Sequence, residues 1–182
     1  IVTNHPESGL VADAHFQIGR GFAQEMDFVD AIDWFERAVA EFPDSPAAKD
    51  SLLQSASAFA RVNKPADALE RYRRFIEKYP DAENLDRAYL NMIDVLRDGG
   101  DDAEALKWAA KTQEVFRGKL PEALALFSQL RIRASQTDWQ SVVFDAERLL
   151  TYPDLGGTRV PGGTNKNEVT FLKAFALENQ NR

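Results

Sequence analysis

The sequence predicts an all-α protein, a solenoid of antiparallel helix pairs, on three observations. The first is a fixed period: Pro6, Pro43 and Pro80 stand 37 residues apart, as do Ala31, Ala68 and Ala105. Phe22, Phe59 and Leu96 keep the same step, and a period of this size marks stacked supersecondary units. The second is that apolar residues within each period recur at three and four, the spacing of one helix face. The third is punctuation, with short polar side chains where helices begin and prolines just past their ends. About four repeats follow, near residues 8–43, 45–80, 82–117 and 120–153, then a loop over 154–165 and a partial repeat over 166–182.

Repeat one opens with a helix from about Leu10 to Gln24. Ser8 is its expected cap, because a short side-chain oxygen can accept from a free first-turn amide. Ala12, Phe16, Ile18, Gly19 and Phe22 form the face it should bury. Asp27 caps the second helix, Asp30 suits its positive end, and Ala31, Ile32, Phe35, Ala38 and Val39 make its core stripe. Repeat two begins at Ser45-Pro46, cap and first helical position, where proline's missing amide costs nothing. Leu52, Ala56 and Phe59 line its first helix; Ala68, Leu69, Tyr72, Phe75 and Ile76 line its second, which Pro65 opens.

Repeat three carries Tyr89, Met92, Ile93 and Leu96, a Gly99-Gly100 turn, and an Asp101-x-x-Glu104 start to its second helix. Thr112 falls where an apolar residue is expected, and Arg117-Gly118 replaces the closing proline. Repeat four begins at Pro121, holds Leu124, Phe127, Leu130 and Ala134, and restarts at Asp138 with Val142, Ala146, Leu149 and Leu150. Its phase reads about one residue off the others. The stretch DLGGTRVPGGTN, Asp154–Asn165, is a longer connector, after which Asn165 with Glu168 can cap a last helix. Both ends read as cut. Pro6 and Ser8 repeat the placing of Pro43 and Ser45, and Phe171, Ala174 and Leu177 overlay Phe16, Gly19 and Phe22.

Composition removes several function classes. A net charge of −7 and a pI near 4.9 argue against nonspecific binding to a phosphate backbone. No cysteine is present, which excludes disulfides, thiolate metal sites and cysteine nucleophiles. No segment is long and apolar enough to span a bilayer. His5 and His15 are ten residues apart without helical pairing, so neither a metal site nor a catalytic base is expected. The carboxylates sit mostly at helix starts, as Asp27, Asp30, Asp67, Asp101, Asp102 and Glu104 do, where the helix dipole accounts for them. The glycine run 156–163 lacks the lysine and Ser/Thr of a phosphate loop. Trp34 and Trp108 occupy equivalent second-helix positions, as packing or as docking aromatics. No catalytic, cofactor or metal residue is assigned.

The spacing of small, aromatic, alanine and proline positions resembles the tetratricopeptide repeat. Repeat one matches at Gly19, Phe22, Ala31, Phe35, Ala38 and Pro43; repeat two matches at Ala56, Phe59, Ala68, Tyr72 and Pro80. Repeat three is partial and repeat four degenerate. The resemblance implies a right-handed superhelix whose first helices line a concave groove. The 37-residue period and the FPDSP and YPDAE links are similar to the lengthened repeats of bacterial cell-envelope proteins. These include the outer-membrane barrel-assembly lipoprotein, the periplasmic Tol-Pal-associated repeat protein and the helical N-terminal region of soluble lytic murein transglycosylases. The tail GGTNKNEVTFLKAFALENQNR is most similar to the last group.

Carried across, that pattern places Phe16, Arg20 and Gln24 in the groove from repeat one, with Asp13 beside them. Leu53, Ser57 and Arg61 follow from repeat two, Leu90, Asp94 and Arg97 from repeat three with Arg87, and Leu126, Leu130 and Arg133 from repeat four. An apolar rung (Phe16, Leu53, Leu90, Leu126) would then run beside an arginine rung (Arg20, Arg61, Arg97, Arg133) suited to an acidic or C-terminal peptide. The expectation is a noncatalytic protein–protein interaction scaffold, periplasmic or otherwise in the cell envelope. The second expectation is an accessory domain of a peptidoglycan-cleaving enzyme whose active site lies elsewhere. Phe171, Leu172, Phe175 and Leu177 should either fold back on repeat four or seed self-association.

Overall fold

The computed structural model describes residues 9–152 and 165–180. All regular elements among them are helices. Repeat one supplies α1 (Gly9–Gln24) and α2 (Phe28–Glu41), and repeat two supplies α3 (Pro46–Arg61) and α4 (Pro65–Lys78). Repeat three gives α5 (Leu85–Asp98) and α6 (Asp102–Val115). Repeat four gives α7 (Leu120–Ser135) and α8 (Trp139–Leu150), and α9 spans Asn165–Gln180. Ser8 and His5 lie outside the described residues, as does most of the 154–165 connector. The chain forms two compact halves, Ile1–Asn91 and Met92–Arg182, with the division inside α5.

Every turn within a repeat is closed in the same way. Met26, Asn63, Gly100 and Thr137 all take left-handed backbone angles, with φ of 63°, 58°, 80° and 58°. They stand 37 residues apart. The amide of the next residue then reaches back five positions: Asp27 to the Phe22 carbonyl, Lys64 to Phe59, Asp101 to Leu96 and Asp138 to Arg133, at 2.9–3.0 Å. This satisfies carbonyls that a helix end leaves free. The second helices start on capping side chains: Asp27 Oδ1 accepts from the Asp30 amide, Asp101 Oδ1 from Glu104 and Asp138 Oδ1 from Ser141. Lys64 offers no such cap, and Pro65 stands in the first turn instead.

Packing in the N-terminal half sets a small residue on a first helix against an aromatic ring on a second. A Cβ added at Gly19 would lie 2.7 Å from Phe35 Cε1, so only hydrogen fits there. Ala56 and Tyr72 hold the matching positions 37 residues on, and both are buried. The C-terminal half reverses the sizes. Ile93 and Leu130 stand where Gly19 and Ala56 stood, and Ala109 and Ala146 replace the rings. Leu130 and Ala146 share one cluster with Leu126, Phe127, Leu149 and Val169. This exchange explains why repeats three and four looked partial and degenerate: volume is kept while its owner changes.

Several sequence expectations are corrected. Ile18 faces solvent. Thr112 is fully buried in its apolar position because its hydroxyl donates to the Trp108 carbonyl at 2.7 Å. In α9 the buried residues are Val169 and Ala176, so Ala176, not Ala174, takes the small-residue place. Phe171 is 65 % exposed, whereas Leu172 packs against the core of repeat four and the Phe175 ring meets Trp139 edge-on at 5.4 Å. Both Glu168 carboxylate oxygens accept from Arg131, at 2.7 and 3.1 Å.

Candidate interaction surface

The left-handed turn residues fix the register of each repeat, and that register decides which first-helix side chains are equivalent. Steps of 37 from Phe16 give Leu53, Leu90 and Phe127; from Arg20 they give Ser57, Asp94 and Arg131. From Gln24 they give Arg61, Asp98 and Ser135. In repeat four the equivalents are therefore Phe127 and Arg131 rather than Leu126, Leu130 and Arg133. Leu126 and Leu130 are core residues, completely buried. Leu53 is buried as well, so it offers no surface to a partner. The apolar rung is not a rung: of its four members, Phe16 and Leu90 keep partial exposure.

The arginines separate by half. Arg97 is held by Asp94 at 3.1 Å and Asp98 at 3.0 Å. Burial raises the Asp94 carboxyl above its ordinary range, and Arg97 works against that shift. Arg133 occupies the position of Phe22, Phe59 and Leu96, a place for apolar side chains, and pairs with the fully buried Asp145 at 2.8 Å. Arg131, missed in the sequence, lies 4.8 Å from the Phe127 ring centre and forks onto Glu168. Counting 37 from Arg20 would have found it.

Arg20 and Arg61 differ. Arg20 donates to the neutral Gln17 amide oxygen at 3.3 Å and lies 5.7 Å from the Phe16 ring centre. Arg61 lies 5.3 Å from the ring centre of Phe28. Among the described residues neither has a carboxylate within 4.0 Å, and both are exposed. At the repeat-two position equivalent to Arg20 stands Ser57, half-buried over the buried Tyr72. Ser57 and Tyr72 share a hydroxyl–hydroxyl hydrogen bond at 3.0 Å, and Asn91 Nδ2 donates to the Tyr72 hydroxyl at 3.1 Å.

The C-terminal half instead contains a buried polar chain. Asp145 accepts from Gln129 Nε2 on both oxygens at 3.0 Å, in addition to Arg133. Gln129 Oε1 accepts from Gln113 Nε2 at 3.0 Å, and Gln113 Oε1 accepts from Arg148 at 3.3 Å. Burial pushes the Asp145 carboxyl upward, while Gln129 and Arg133 pull it down. All three elements α6, α7 and α8 contribute. His15 is buried against the rings of Trp34 and Phe42 at 5.2 and 5.9 Å. Trp34 and Trp108 are half-buried with a cation over each, Arg37 at 5.0 Å and Lys111 at 4.5 Å. No three His, Asp or Glu side chains among the described residues converge as a metal site, and no described helix is long and apolar enough to cross a membrane.

Helix pairs closed by one repeated turn, with a small first-helix residue seated on a second-helix ring, define a TPR-like helical repeat protein. Crystal structures agree on the fold. A Podosopora anserina protein described as a kinesin light chain with nearly identical TPR-like repeats matches with a TM-score of 0.68 at 13% identity, over 97% of this chain and 90% of its own. Its Q17M form matches with 0.69 over 98% and 90%, again at 13% identity. Residues 10–131 match the family model YfiO, described as outer membrane lipoprotein, and the chain belongs to that family. The match falls on the lipoprotein group among the envelope resemblances. It ends before the tail that carries the likeness to transglycosylases. No curated protein matches the chain in sequence.

Proposed function

We propose that this chain is a noncatalytic scaffold of the cell envelope that holds an extended segment of a partner protein on the first helices of its N-terminal half. A TPR-like fold is in general a protein–protein interaction scaffold, and the family description as outer membrane lipoprotein supports the location. The observation that carries the reading is the surface of Phe16, Arg20, Gln24, Ser57 and Arg61. It combines a partly exposed ring, two guanidinium groups without a carboxylate partner among the described residues, and a hydrogen-bonded hydroxyl on adjacent helices. Affinity for an extended segment comes from such polar anchors around an apolar contact.

Unbiased random-peptide display against the immobilised chain tests this. Enriched peptides should compete with one another for one site and lose binding to Gln24→Trp, an exposed position one turn past Arg20 and level with Arg61 in the repeat. Failure to enrich any peptide, or binding indifferent to Gln24→Trp, would refute the groove reading. Purified chain should also release no soluble fragments from peptidoglycan; reproducible release would overturn the noncatalytic part.

A further inference from the structure

Given that reading, on which this inference rests, we infer that the segment held by the N-terminal half is acidic, with two carboxylates three residues apart that Arg20 and Arg61 grip as a pair. The argument begins with what the other arginines do. Arg97, Arg131 and Arg133 on first helices of the C-terminal half each carry an intramolecular carboxylate. A guanidinium already forked onto an acid has little left for a ligand. Arg20 and Arg61 have their donors turned to solvent, to a neutral amide or to nothing charged among the described residues. A cation at the end of α3 suits the helix dipole whatever its role. Arg97 ends α5 in the same way yet is neutralised by two aspartates. The dipole therefore does not explain the missing acid at Arg61.

The rings matter next. Phe16 under Arg20 and Phe28 under Arg61 hold each guanidinium by its face, leaving the N–H edge for a planar acceptor. A side chain already restrained loses less freedom when it binds. Carboxylate geometry matches two parallel N–H donors, and charge-assisted bonds of this kind are the strong ones.

The spacing then sets the ligand. Helices α1 and α3 run parallel, each antiparallel to α2, and pack against one another. In register, Ser57 is the equivalent of Arg20, and Arg61 lies one turn beyond it. Axes roughly 8–10 Å apart and a turn of about 5.4 Å put the two backbones on the order of 10 Å apart. A polyproline-type segment rises about 3.1 Å per residue with about three residues per turn. Residues i and i+3 therefore lie on one side about 9 Å apart. A fully extended strand would place i and i+3 on opposite faces. The acid-binding part is also confined to one edge, because Asp13 stands about two turns before Arg20 and Asp50 about three turns before Arg61, and both repel acids there.

The test uses the whole chain and two labelled octapeptides, proline-rich and amidated, with Asp or with Asn at positions three and six. Fluorescence anisotropy should show the Asp peptide binding at least about tenfold more tightly, with the advantage shrinking as salt rises. Arg20→Gln and Arg61→Gln should each cost about tenfold for the Asp peptide and leave the Asn peptide unchanged. Arg117→Gln, an exposed control in the other half, should change neither. Equal binding of Asp and Asn peptides, or indifference to both arginine substitutions, would overturn this inference while a displayed peptide still bound and the groove reading stood. Binding of anionic lipid vesicles that competes at the same arginines, with no Asp-peptide binding, would overturn it in favour of phosphate. Should no peptide of any kind bind, the groove reading itself fails.

Discussion

The two halves of this chain share a backbone plan and differ in almost everything placed on it. Residues 26, 63, 100 and 137 close their turns identically. Yet the N-terminal half sets the Phe35 ring on Gly19, whereas the C-terminal half sets Leu130 in one cluster with Ala146, and the buried pairs Ala56/Tyr72 and Ile93/Ala109 hold the matching positions. Among the described residues the N-terminal half leaves Arg20 and Arg61 exposed with no carboxylate within 4.0 Å; the C-terminal half ties its first-helix arginines Arg97, Arg131 and Arg133 to Asp94, Asp98, Asp145 and Glu168. The comparison teaches that the turn fixes a helix pair and the side chains then solve the volume problem in either direction. A position's chemistry can be inverted while its geometry persists.

The largest test of that exchange is Leu130→Ala. It leaves a void opposite Ala146 and should cost about 2–5 kcal/mol in denaturant unfolding. Adding Ala146→Phe, which restores the N-terminal arrangement, should recover part of that loss; a double variant weaker than the single would break the volume argument. Gly19→Ala should cost about 1–3 kcal/mol, because Phe35 must move away from the added methyl.

A pH dependence sharpens the contrast in polarity. Burial holds the folded-state pKa of Asp145 above its unfolded value, so the folded state binds that proton more tightly. Its stability cost is greatest at neutral pH and is relieved as pH falls toward the ordinary carboxylate range near about 3.9. Wild type should therefore gain stability relative to Asp145→Asn as pH is lowered from neutral toward that range, measured by parallel urea titrations. A constant difference would show that the carboxyl titrates normally. The smallest effect is expected at Thr137, a β-branched residue in left-handed conformation. Thr137→Gly should raise the unfolding midpoint by the equivalent of roughly 1 kcal/mol.

How much of this was legible in the sequence follows from the same comparison. Prolines, capping aspartates and the alanine column were visible because their chemistry repeats. Of the turn residues only Gly100 was visible, since Met26, Asn63 and Thr137 share its backbone sign and no side-chain property with it. Repeat four lost its phase in the run LPEALALF, where apolar residues on every side of α7 give no preferred face. That slip moved Leu126 and Leu130 out of the core on paper. It also put Arg133 on the surface instead of against Asp145. Salt-bridge partners 12 and 37 residues away, as for Arg133 and Arg131, leave no local signal. The exposure expected of groove residues is met at Arg20 and Arg61 and in part at Phe16, where the repeat chemistry is plainest.

The size exchange between halves has a consequence for how the chain finds its own order. Arrays of similar modules misassemble when a helix docks on the wrong neighbour of the same shape. Here a ring such as Phe35 placed on Leu130 would collide, and Ala146 placed on Gly19 would leave a hole. Each pairing thus works as a keyed joint, and the wrong key is rejected by bulk or by emptiness before any charge or hydrogen bond is consulted.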